Sequence, residues 1–245
     1  MNINNISLEI DNNQILQNIS FKIPDNSFTC ILGSNGSGKS SLMKILAGDI
    51  DSDSGSITDF DPNSITYLPQ NIEPPLFLKV MDIIKVGFHQ RKISNKQRAA
   101  EIEYLINQLK IKNIEKQLLE KASAGEQQKT WLAFALAQNK KLMLLDEPLS
   151  AVDIESRKVF FKLLNEYCAA GKTTITMVTH DTDLAREFCD YALVLENGEQ
   201  VLEGPIKTYK LMIKEKLEPK YTLTLKYQQT SIDPLCENRF SLLVY

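Results

Sequence analysis

A parallel α/β core is the fold class this chain predicts, and three observations carry that expectation. Residues 33–40 fit the phosphate-loop pattern G-x-x-x-x-G-K-[ST] at Gly33, Gly38, Lys39 and Ser40, with Ser34, Asn35, Gly36 and Ser37 forming the loop. An apolar run, Leu142, Met143, Leu144 and Leu145, ends in the carboxylates of Asp146 and Glu147. Strand and helix patterns alternate through the middle of the chain, as crossover-linked parallel strands require.

Taken in order, Ile6, Leu8 and Ile10 alternate with polar residues, and Asp11, Asn12 and Asn13 turn the chain toward further strand candidates at 14–16 and 19–23. This opening predicts a small antiparallel sheet. Residues 28–32 form a buried strand into the phosphate loop, and 41–47 a helix closed by Gly48. Residues 49–56 read as a polar turn region and 65–68 as a short strand before Pro69 and Gln70. From 81 to about 127 the chain predicts a mostly helical insertion. Within it, Ile102, Leu105, Ile106, Leu109, Ile114, Leu118 and Leu119 place helical spacing over 101–119.

Helices at 127–139 and 155–170 flank the strand at 142–145, and Gly171 stops the second. A β-branched strand follows at 173–178, then a helix capped by Asp181 or Thr182. Asn197-Gly198 turns a hairpin between 191–195 and 200–202. These patterns predict one domain over 1–204 and a short extension over 205–245, itself a small hairpin.

An apolar content of 43% over 245 residues supports a substantial core. The balance of 28 basic and 31 acidic residues, net −3, argues against dedicated nucleic-acid binding. Cys30, Cys168, Cys189 and Cys236 show no paired spacing, and with two histidines no zinc site is expected; scattered cysteines suit a reducing compartment. The first residues carry no basic-then-apolar signal segment, and no apolar run approaches the ~20 residues of a membrane span. Any membrane role is therefore expected from the cytoplasmic face, peripherally and through a partner.

The chemistry follows from residue types. Glycines let backbone N–H groups curl around phosphate oxygens at a helix start, Lys39 reaches the β- and γ-phosphates, and Ser40 binds Mg²⁺. An Asp-Glu pair closing a buried strand downstream of such a loop offers one ion binder, Asp146, and one base, Glu147.

With these residues placed, the chain resembles the ATP-binding cassette (ABC) ATPases over residues 3–204, a P-loop fold with an antiparallel β subdomain and a helical subdomain. Tyr67, Leu68, Pro69 and Gln70 resemble the Q-loop segment. Residues 123–129 resemble the family signature, 148–153 the D-loop, and Val178, Thr179, His180 and Asp181 the segment of the switch histidine. The resemblance implies a two-fold dimer with two ATP molecules at its interface. Each would contact Gly33, Ser34, Asn35, Gly36, Ser37, Gly38, Lys39, Ser40 and Ser41 of one chain and Ser123 and Gly125 of the other. Mg²⁺ would be held by Ser40, Gln70 and Asp146. Glu147, His180 and Gln70 are the implied catalytic residues.

Three signature positions depart from the family: Ala122 for leucine, Ala124 for the first glycine and Lys129 for arginine. Ser123 and Gly125 remain, so function is expected to survive with altered packing. The adenine-stacking aromatic is replaced at about Ile10. Trp131 and the segment 80–87 resemble importers of iron–siderophore, haem or cobalamin type. That implies an integral-membrane permease and an extracytoplasmic substrate-binding protein as partners. The apolar loop of Pro74, Pro75, Leu76, Phe77 and Leu78 is the expected docking surface. Two other readings are a soluble ABC ATPase without a transporter, as in iron–sulfur cluster assembly, and a non-hydrolysing module; the full set of Lys39, Asp146, Glu147 and His180 weighs against the latter.

Overall fold

The computed structural model describes residues 1–59 and 61–206. The hairpin expected in the C-terminal extension lies outside the described residues. The strands are β1 (Asn2–Ile10), β2 (Asn13–Lys22), β3 (Phe28–Gly33), β4 (Ser54–Thr58), β5 (Ile65–Leu68), β6 (Leu142–Asp146), β7 (Thr174–Val178), β8 (Tyr191–Glu196) and β9 (Glu199–Pro205). The helices are α1 (Lys39–Ala47), α2 (Val80–Gly87), α3 (Asn95–Gln108), α4 (Ala124–Gln138), α5 (Ile154–Ala169) and α6 (Thr182–Phe188).

The strands form one sheet in the order β4-β1-β2-β9-β8-β3-β7-β6-β5. From β8 to β5 neighbouring strands run parallel, with Phe28 opposite Ile175, Leu142 opposite Thr174 and Ile65 opposite Leu142. All residues of β6 and β7 are buried, which is why both read as unbroken rather than alternating segments. The β1–β2 and β8–β9 pairs are antiparallel, and the latter turns at Asn197 and Gly198 as the sequence predicts.

Successive residues of β3 face opposite sides of the sheet. Ile31 joins a cluster with Leu42, Met43 and Leu46 of α1, Leu144, Val178 and the inner faces of β1 and β2. Phe28 points the other way, to Phe161 of α5, with ring centroids 5.8 Å apart. The central sheet is thereby clamped from both faces, and the loop leaving β3 sits on a rigid base.

The helical insertion packs α2 closely on α4. A Cβ at Gly87 would fall 2.7 Å from the Phe134 carbonyl oxygen, so glycine sets the approach of the two helices. Arg91 ties this region down, bonding both Glu101 carboxylate oxygens and the Ala137 carbonyl.

The structure departs from expectation in four places. The helix expected over 101–119 ends at Gln108; Lys110 takes φ +54°, and Ile114 and Leu119 are buried from short 3-10 turns instead. Residues 54–56, expected within a turn region, begin β4, which pairs with β1 through its backbone. The helix expected from 127 starts at Ala124, drawn forward by Ser123 as N-cap. Cys30 and Cys189, 159 residues apart, pair as a disulfide where their spacing indicated none; the fold, not the sequence interval, brings them together.

Candidate functional site

The carboxyl ends of β3, β6 and β7 lie on one edge of the parallel sheet, where open α/β sheets hold their ligands. β3 delivers the phosphate loop there. A Cβ on Gly33 would fall 2.1 Å from the Leu195 carbonyl oxygen, and one on Gly38, at φ +93°, 2.6 Å from Leu16 Cδ2. Both positions admit only glycine, because β2 and β8 crowd the loop from below.

Lys39 opens α1 and is 5% exposed. Its Nζ donates to the carbonyls of Gly33 (3.0 Å) and Ser34 (2.6 Å), so the ammonium lies against the loop itself. Burial lowers its pKa, while Glu147 and Asp146 pull it back up.

β6 carries Asp146, 2% exposed, to the same edge. Burial raises its pKa; a hydrogen bond with the Ser40 side chain opposes that rise. Among the described residues Asp146 Oδ1 has no hydrogen-bond partner. A buried carboxylate oxygen left open beside a hydroxyl suits a hard divalent cation that accepts only oxygen ligands, so these residues fit Mg²⁺.

Glu147 takes φ +48°, a backbone conformation that costs a non-glycine residue on the order of 1 kcal/mol. Its N–H donates to the Val178 carbonyl at 3.2 Å, tying it to the end of β7. The strain re-aims its carboxylate out of the strand direction. Glu147 Oε2 accepts from Gln70 Nε2 at 2.9 Å, and Oε1 lies 2.9 Å from His180 Nε2. Residues 70, 147 and 180, distant in sequence, thus meet as one cluster at the ends of β5, β6 and β7.

Ser123 and Gly125 make their contacts elsewhere. Ser123 caps α4: its Oγ accepts from the Glu126 N–H (3.4 Å) and its own N–H donates to Glu126 Oε2 (2.9 Å). The partner in this capping box, Glu126, was missed; the spacing S-x-x-E was the available signal. The α4 N-terminus is exposed at Ser123 and Ala124, and its first-turn N–H groups make it a ready anion site. Ile10 ends β1 and is 45% exposed. Leu76 and Phe77 are 64% and 78% exposed, and Phe77 holds φ +66°.

The fold and site together define a P-loop nucleotide-binding cassette. The family model described as "ABC transporter" matches residues 16–150, and the chain belongs to that family. A zinc import ATP-binding protein of Buchnera aphidicola subsp. Baizongia pistaciae is 31% identical over 208 residues, 84% of each chain. Among solved structures, the dimeric bacterial ABC transporter cassette MJ0796 aligns with TM-score 0.72 and 22% identity, covering 84% of this chain and 98% of that one. An inward-facing putative metal-chelate type ABC transporter aligns with TM-score 0.71 and 24% identity, covering 84% and 83%. The chain is accordingly an ATP-binding ATPase domain of the ABC transporter family. None of its described helices is long and apolar enough to cross a membrane.

Proposed function

We propose that ATP hydrolysis by this chain powers import of metal-containing cargo through a separate permease, served by an extracytoplasmic substrate-binding protein. The observation that carries the hydrolytic part is the Gln70–Glu147–His180 cluster beside the open Asp146 oxygen.

In this reading the cassette spans 1–204, with the helical subdomain at 81–127 and an extension at 205–245. The loop from Gly33 to Ser41 surrounds the phosphates, and Lys39 exchanges its two carbonyl partners for phosphate oxygens. Ser40, Asp146 and Gln70 would hold Mg²⁺, which when bound would supply positive charge to offset that of the phosphates. Glu147 orients water and takes its proton as the water oxygen bonds to the γ-phosphorus and the bond to ADP breaks. His180, held by Glu147, faces the γ-phosphate. Ser123 and Gly125 complete the site from a second copy of the chain.

Import rather than export is supported by the zinc import relative and by Trp131 and the segment 80–87. The metal class rests on the same relative; an iron chelate is the narrower cargo that the segment favours. Leu76 and Phe77, exposed a few residues beyond Gln70, form an apolar surface fit for a cytoplasmic helix of the permease.

The test is affinity purification from gently solubilised native membranes, with co-purifying chains identified by mass. A polytopic permease in equal amount supports the reading. Recovery with soluble partners alone moves it to an ATPase without a transporter.

A further inference from the structure

The loop after Glu147 is braced from two helices. Gln128, one turn into α4, donates from Nε2 to Ser150 Oγ at 2.8 Å, and its Oε1 accepts the Ala151 N–H at 2.8 Å. From the other side, Arg157 of α5 donates to the carbonyls of Val152 (2.8 Å) and Ser150 (3.3 Å). The Ser150 N–H returns to the Glu147 carbonyl at 3.4 Å. Gly125 sits so close that a Cβ there would lie 2.8 Å from the Ala151 carbonyl oxygen. Leu149 and Val152 are buried, so the loop has little freedom to yield on its own.

A single amide therefore connects the helix end bearing Ser123 and Gly125 to the loop bearing Glu147. Both hydrogen bonds use opposite ends of one planar group, so a shift of α4 relative to the loop breaks both together. A merely apolar contact would allow sliding; this one fixes register.

We infer that Gln128 is a positioning residue that transmits engagement of the α4 N-terminus by phosphate to Glu147 of the same chain. This rests on the dimer reading above. There, the Ser123 end of one chain serves one ATP while its Glu147 serves the other, so the Gln128 brace couples the two sites.

The test compares Gln128→Met, of similar length but without the amide, with Gln128→Glu, whose carboxylate accepts from both Ser150 Oγ–H and Ala151 N–H. Steady-state ATPase of the full chain is measured against Mg-ATP concentration, with thermal melting alongside. ATP-dependent dimerisation is followed by light scattering in a Glu147→Gln background. For Gln128→Met we expect KM within about twofold, ATP-dependent dimers retained, kcat down about tenfold or more, and a Hill coefficient falling toward one. Gln128→Glu restores at least half of kcat and the cooperativity. If wild type is cooperative and Gln128→Met matches it, the coupling role is overturned while the dimer stands. A fall in kcat that tracks a lower melting temperature and is not rescued by Gln128→Glu overturns it in favour of simple packing. A wild type with no ATP-dependent dimer and a Hill coefficient of one removes the dimer reading and this inference together.

Discussion

The phosphate loop and the N-terminus of α4 are both loop-to-helix junctions proposed above to meet phosphate, yet among the described residues they differ in how far the surrounding site is assembled. At the phosphate loop Lys39 is buried, its ammonium is satisfied by carbonyls, and Asp146, Glu147, Gln70 and His180 already converge beside it. At α4, Ser123 and Ala124 are exposed and the cap bonds Glu126 of its own helix. The difference is one of support. The first junction rises from the centre of a sheet covered on both faces. The second lies at the surface, held through Gly125 and Gln128 to a neighbouring loop. In the proposed reading, a site divided this way keeps the chemistry on rigid strands and leaves completion to an encounter.

The largest effect that this contrast predicts is at Glu147. Glu147→Gln removes the proposed base but keeps the hydrogen-bonding shape, so kcat is expected to fall by at least about a hundredfold while ATP binding persists. Single-turnover kinetics and a nucleotide titration separate the two. Lys39→Ala deletes charge-assisted bonds of about 1.5–3 kcal/mol each, so ATP affinity falls roughly tenfold or more in a direct binding titration. Unchanged affinity would remove the phosphate loop from the account.

Asp146 sharpens the comparison through stability. Burial raises its pKa above 3.8, so its contribution to stability is full below that value and is lost as pH rises through the folded value. An ionised, metal-free Asp146 therefore weakens the fold at neutral pH. Asp146→Asn is expected to melt higher than metal-free wild type at pH 7, and to lose the melting shift that wild type shows on adding Mg²⁺ with ATP. A lower melting temperature for the variant would mean that the buried carboxylate is compensated after all. The smallest effect is at Ile10: replacing it with tyrosine supplies a stacking face worth about 0.5–1.5 kcal/mol, for a several-fold tighter ATP affinity.

The parts of the molecule legible in sequence are those whose signal is local. The phosphate loop, the Asp146-Glu147 strand end and the Asn197-Gly198 turn each need only their own residues to be read. β4 was hidden because Ser54, Gly55 and Ser56 carry no apolar alternation; the strand forms by backbone pairing to β1. The break after Gln108 was hidden because apolar residues continued at near-helical spacing while the backbone turned at Lys110. Gly125 disguised the first turn of α4, where glycine is disfavoured, although close approach to Ala151 requires it. The Cys30–Cys189 pair and the Gln128 brace depend on which elements become neighbours, information that no spacing along the chain contains.

The central claim is that this chain holds one finished and one unfinished phosphate-binding end, and that two copies complete each other. Light scattering of the Glu147→Gln chain, with and without saturating ATP, tests it most directly. The account predicts a mass that doubles with ATP and returns to the single-chain value when Ser123→Arg blocks the α4 end. A chain that binds ATP fully at its phosphate loop yet keeps the same mass would contradict it.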